Sequence, residues 1–357
     1  MRLTKCARAF IALNSLAAFL AYPAFARPKT DVIVMKNGDT FTGEVKNLAN
    51  GVLHVDLDYV DGTIQIDWLK VARLESTYLF RVNLQDGSTY SANIVSHESL
   101  PGTPVQIEIQ PVGEEPQVID RSTVVGMTQT FDSVWQRFSG DFSLGSTYSK
   151  GNNTTQYNLG SGLDYSATRW GATLTYSSNL SASSGAAAAT RNQMDLIAHR
   201  LFSRKNYFYA GTAGYLQSSV QGIDRQVSLG LGVGRYLKNT DRVNFSFLGG
   251  LGWQRTKYSQ SITQLTQDVA VGLLASNLDV FSFKKMRLHL TASMAPALNG
   301  QGRIFARTNA TYYLKIIRKI DWNFSFYGNW DTQPPGELKG SDYGFTTGFS
   351  YSFGSKW

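Results

Sequence analysis

Few residues in this chain could do chemistry. Histidine is the scarcest titratable type, with only His54, His97, His199 and His289. On a strand, His199 would share one face with Asp195 and Gln193. A carboxylate that orients an imidazole is the acid–base half of a hydrolytic site, which makes Asp195 and His199 the candidate catalytic pair. No nucleophile motif accompanies it. His54 and His97 have no second ligand at metal-binding spacing and are expected at the surface. The one cysteine, Cys6, precedes the chain's first apolar stretch, so no thiolate chemistry, disulfide, metal site or cofactor is expected. The string Gly230-x-Gly232-x-Gly234 alternates with Leu and Val, and no helix signal follows it. It reads as small inward positions of a strand, not as a phosphate loop.

The elements that would carry the pair are strands. Leu159, Leu163 and Tyr165 oppose Asn158, Gly160 and Asp164; Leu229, Leu231 and Val233 oppose Gly230, Gly232 and Gly234. The final stretch places Tyr343, Phe345, Phe349, Tyr351 and Phe353 on one parity and Gly344, Thr346, Gly348, Ser350 and Ser352 on the other. An aromatic face opposite a small polar face suits lipid outside and water inside. The spacing Thr346-x-Gly348-x-x-Tyr351-x-Phe353 also resembles the C-terminal insertion signal of bacterial outer-membrane β-barrels. The mean hydropathy of −0.20 fits such a barrel, because each lipid-facing residue is diluted by a lumen-facing one.

Tight basic turns near Arg169, Arg204-Lys205, Lys238, Lys284-Lys285 and Arg318-Lys319 recur roughly every 35 residues, the length of two strands and their connections. Mostly longer loops lie between them: 179–190, 218–225, 255–262, 295–302 and 332–341. About twelve strands follow, with both barrel ends and the short turns in the periplasm. At the N-terminus, Arg2, Lys5 and Arg8 precede an apolar run of about a dozen residues, and Ala24-Phe25-Ala26 has the small-x-small form of a signal-peptidase site.

Residues 31 to 130 contain a repeat. Val32–Phe41 parallels Phe80–Tyr90 around the Asn37-Gly38 and Asp86-Gly87 turns. Ile66-Asp67-Trp68-x-x-Val71 parallels Ile119-Asp120-Arg121-x-x-Val124. The expected organisation is a signal peptide at 1–26, small β modules at 27–76 and 77–130, a linker at 131–136 and a barrel at 137–357. The modules are similar to SH3-like or Sm-like barrels. Sm-like folds elsewhere bind RNA, but this secreted, acidic copy is expected to bind no nucleic acid.

Charge divides the chain. Residues 27–136 hold 8 Lys+Arg against 15 Asp+Glu, whereas 137–357 hold 23 against 11. Arg169, Arg204, Lys205, Lys238, Arg242, Lys284, Lys285, Arg318 and Lys319 would form a basic periplasmic rim on which the acidic modules could dock. Alternatively, the modules hang free and bind peptidoglycan or another periplasmic protein. Lumen-parity Arg303, Arg307 and Lys315 would bias any open path toward anions.

With its signal peptide, the Lys36-Asn37-Gly38-Asp39 motif and a glycine- and aromatic-rich barrel ending in Tyr351-Ser352-Phe353, the chain resembles the salt-induced outer membrane protein family. That Gram-negative family is a domain of unknown function. The resemblance covers 137–357, implies an outer-membrane barrel and brings no catalytic residues. The expected partners are outer-membrane lipid, lipopolysaccharide and the barrel-assembly machinery. The expected role is passive, as a narrow pore or an envelope-integrity element. A lumenal hydrolase using Asp195 and His199, and a soluble all-β binding protein, are the alternatives.

Overall fold

The computed structural model describes residues 29–60, 62–95, 104–129, 137–149, 154–167, 170–183, 188–202, 206–259, 266–282, 286–299, 302–317 and 320–353. The two repeat turns form as their sequences demand. Gly38 and Gly87 sit at φ +91° and +86°, where a Cβ would be strained. Each closes an equivalent hairpin, with Gly38 N donating to Met35 O and Gly87 N to Leu84 O, both at 3.0 Å.

Nine strands follow from these turns: β1 (Asp31–Met35), β2 (Thr40–Ala49), β3 (Val52–Asp56), β4 (Thr63–Asp67), β5 (Val71–Leu84), β6 (Thr89–Val95), β7 (Gln106–Pro111), β8 (Gln117–Asp120) and β9 (Val124–Gln129). Their order is β4-β3-β2-β1-β5-β6-β7-β8, with β9 pairing β2 and β5. The first half of β5 pairs with β1, as in Ile33↔Leu74. Its second half pairs with β9, as in Val82↔Met127. The 76/77 boundary therefore falls inside β5, at an irregularity of its pairing with β6 between Ser76 and Phe80. The repeats are fused through one strand and share one core, in which Ile33, Val55, Trp68, Phe80, Ile109 and Met127 are fully buried. Removing that apolar area from water is the main force holding the unit together. Asp67 and Asp120 each cap a short 3-10 turn, accepting from Leu69 N at 3.1 Å and Ser122 N at 2.8 Å.

Twelve further strands close into a barrel in sequence order: β10 (Phe138–Ser149), β11 (Thr154–Ser166), β12 (Trp170–Ser183), β13 (Ala189–Leu201), β14 (Tyr207–Ser218), β15 (Ile223–Asn239), β16 (Val243–Tyr258), β17 (Thr266–Ser282), β18 (Met286–Pro296), β19 (Ile304–Ile317), β20 (Ile320–Asp331) and β21 (Ser341–Phe353). Closure is made by β10 on β21, with Phe142↔Tyr351 and Gly140↔Phe353 in register. The alternation resolves as outside and inside. Leu231, Leu251 and Phe345 are 74%, 66% and 76% exposed on the outer wall, while Gln226, Gln254 and Asn323 are buried inside. Gly348 is needed at the closing seam, because a Cβ there would lie 2.6 Å from the Leu144 carbonyl oxygen.

Several loops are shorter than their polar sequences suggest. β15 and β16 stay paired out to Arg225↔Lys257, and only residues 219–222 separate β14 from β15. Polar residues continue the ladder because main-chain hydrogen bonds do not depend on an apolar face.

The N-terminal unit rests on the short-turn end of the barrel. The Asn206 amide donates to Gln85 O at 2.8 Å, and Asn206 itself adopts φ +55° in the β13–β14 turn. Arg242 pairs with Asp67 at 3.5 Å, Lys315 donates to Gln65 Oε1 at 2.5 Å, and the Arg81 guanidinium donates to the Ala167 carbonyl.

Candidate functional site in the barrel lumen

The inward residues form two polar layers. Toward the longer-loop end, three arginines meet three aspartates. Arg303 holds Asp331 with two nitrogens, at 2.9 and 2.6 Å, and also donates to Gln267 at 2.6 Å and to the Tyr258 hydroxyl at 2.9 Å. Arg191 is 3% exposed. It donates to Gln193 at 2.6 Å, pairs with Asp342 at 3.4 Å and lies 4.3 Å over the Tyr327 ring. The Asn329 amide, turned with its oxygen toward the guanidinium, accepts from it at 2.6 Å. Ser218 Oγ donates to Asp342 at 2.7 Å. Arg307 pairs with Asp195 at 3.7 Å and donates to Gln226. β13 and β19 stand opposite each other in the closed order, so the Arg307–Asp195 contact crosses the lumen.

Toward the short-turn end, His289 Nδ1 lies 2.5 Å from Asp279 Oδ1, and Asn277 donates to the same carboxylate at 2.6 Å. The buried Arg287 stacks over Tyr313 at 4.1 Å. Just below, in the N-terminal unit, His54 is 4% exposed rather than at the surface. Burial first, and the Lys315 ammonium second, push its pKa down to about 4. Burial and then Arg137 likewise hold the Arg81 pKa below its ordinary value.

A family model described as "Protein of unknown function, DUF481" matches residues 142–353. The chain belongs to the DUF481 family. No curated protein matches it. Among solved structures, the DUF481 chain is similar to the translocator domain of autotransporter NalP from Neisseria meningitidis, at 16% identity and a TM-score of 0.36, over 60% of this chain and 87% of that one. The NanC porin is similar at 10% identity and a TM-score of 0.38, over 60% and 100%. The outer membrane protease OmpT from Escherichia coli is similar at 11% identity and a TM-score of 0.22, over 60% and 96%.

The expected catalytic pair of this DUF481 protein is not brought together. Asp195 and His199 lie on one strand about 13 Å apart, beyond side-chain reach. Asp195 instead meets Gln193 and Arg307, and His199 packs edge-on to Phe208. The His–Asp contact that does form, His289 with Asp279, joins register partners across the β17–β18 hairpin. Both residues lie five positions from Lys284, beside the expected Lys284-Lys285 turn, but only the observed register makes them partners.

Of the expected rim, Lys238 is exposed at the end of β15. Arg169, Arg204, Lys205, Lys284, Lys285, Arg318 and Lys319 lie outside the described residues, as do Ala24, Ala26 and His97. Thr346, Gly348, Tyr351 and Phe353 all lie on β21, with Tyr351 exposed on the outer wall. Among the described residues, no group of three or more His, Cys, Asp or Glu is placed to hold a metal.

Proposed function

We propose that this DUF481 protein is a passive outer-membrane barrel, a narrow pore or an envelope-integrity element, with its N-terminal unit capping the periplasmic mouth. The outward apolar wall supports residence in lipid, and short turns at the capped end support its periplasmic orientation. The observation that carries the reading is the ion pair of Arg307 with Asp195 on the opposite wall, which would narrow any path at that level. Assembly by the barrel-insertion machinery belongs to the same reading; modules that hang free and bind peptidoglycan would be the alternative to the cap. Planar-bilayer recordings of the refolded full chain test it. Low wild-type conductance that rises in Arg303→Ala/Arg307→Ala is expected; large conductance unaffected by that double change overturns the reading. For the cap, a short bifunctional reagent should link Gln85→Cys to Asn206→Cys.

A second reading, a lumenal hydrolase, is favoured by the 2.5 Å contact of His289 with Asp279. Its register row continues to Thr311 and Ser325, whose hydroxyls lie 3.1 Å apart. Hydrolysis of phospholipid or peptide substrates that is lost in His289→Ala would replace the passive reading.

A further inference from the structure

On the outer wall, at the longer-loop end, β15 and β16 bring Arg225, Arg255 and Lys257 together around a shallow cleft of about 240 Å³. Trp253, Val227 and Thr266 complete its lining. The register Arg225↔Lys257 and Val227↔Arg255 places the cations side by side on one face. One step toward the barrel middle, Leu229↔Trp253 begins the apolar wall, which continues through Leu231 and Leu251. The cleft therefore straddles the boundary at which lipid tails end and headgroups begin. An indole with three cations beside it matches a ligand that carries acyl chains below and phosphate above.

Two carboxylates flank the cluster. Arg255 pairs with Asp268 and Lys257 with Asp224, both at 3.8 Å and with every side chain at least 42% exposed. Such loose, solvated pairs contribute about 0–1 kcal/mol, so they do not compete strongly with a phosphate that guanidinium groups can grip bidentately. Arg225 makes no ion pair among the described residues.

We infer that this cleft is a binding site for the phosphorylated headgroup of an outer-leaflet lipid, bisphosphoryl lipid A being the probe. The inference rests on the proposed orientation, which puts the longer loops outside. Purified full-length protein in detergent should bind bisphosphoryl lipid A about tenfold or more tightly than its dephosphorylated form, since several charge-assisted hydrogen bonds are at stake. Arg225→Gln/Arg255→Gln/Lys257→Gln should abolish that preference. Arg235→Gln, on the outer face at the opposite end of β15, should keep it. All these side chains point away from the core, and retained heat-modifiable mobility would show that each variant is folded. Equal binding of the dephosphorylated lipid, equal loss in Arg235→Gln, or full competition by low-millimolar inorganic phosphate would each overturn the site. Orientation is read separately, by labelling Glu337→Cys in intact cells with an impermeant maleimide. Failure there with binding intact would sink the topology and leave the cleft as a phosphoglycolipid site in vitro.

Discussion

Trp68 and Arg121 occupy equivalent positions in the two N-terminal repeats, and each hydrogen-bonds the other's main chain. The indole Nε1 donates to Arg121 O at 3.2 Å, and the guanidinium Nη1 donates to Trp68 O at 3.1 Å and to Leu69 O at 2.9 Å. One repeat supplies the apolar anchor and the other the cation.

Arg121→Ala should therefore loosen both repeats together. Carbonyls of Trp68, Leu69 and Val71 lose a charged donor, at a cost of about 3 kcal/mol. Limited proteolysis of the full chain should cut on both sides of β5 at similar rates. Selective cleavage of one repeat would argue against mutual support.

Barrel closure should depend on Gly348 as much as on the terminal aromatics. Gly348→Val places atoms against the Leu144 carbonyl at the β10–β21 seam. Tyr351→Ser/Phe353→Ser removes rings from the closing strand. Both variants should show reduced outer-membrane levels and lose the fast-migrating unboiled form. Normal levels of either would count against a seam closed by this strand.

Selectivity should be weak in the wild type. Arg303 and Arg307, which alone would favour anions, face Asp331 and Asp195, and Lys315 contacts Gln65 of the cap. Asp195→Asn/Asp331→Asn leaves both guanidinium groups uncompensated. Reversal potentials should then report an anion preference that fades as ionic strength rises. Strong wild-type anion selectivity would refute the compensation.

Acid should destabilise the cap through His54. Its folded-state pKa of about 4 lies below the ordinary imidazole value of 6.5, so the unfolded form binds the proton first. This contribution is fully present above pH 6.5 and is lost as pH falls toward 4, by at most about 3 kcal/mol. The Gln85–Asn206 crosslink should thus weaken between those values. His54→Gln should flatten the response in that window, and an unchanged profile would place the titrating group elsewhere.

The barrel is legible in sequence because alternation of Leu and Val with Gly, or Phe with Ser, is a strictly local signal. Strand number follows from the basic turns, and the repeat from its paired Asn-Gly and Asp-Gly turns. What lies across strands is harder to read. Asp279 and His289 meet only through register, while Asp195 finds its partner on the opposite wall. Burial of His54 depends on the cap touching the barrel, and the extended β15–β16 ladder depends on pairing that side-chain polarity does not announce.

The strand shared by the repeats also carries an evolutionary consequence. Because β5 serves both copies, their lengths cannot drift independently. A one-residue insertion within Val71–Leu84 would turn one copy's core residues outward while leaving the other's in place. The bulge at Ala72 and the irregular stretch between Ser76 and Phe80 offer the slack. Descendants of this duplication should therefore accept indels there, or in pairs, and be held to a fixed reading length everywhere else along the strand.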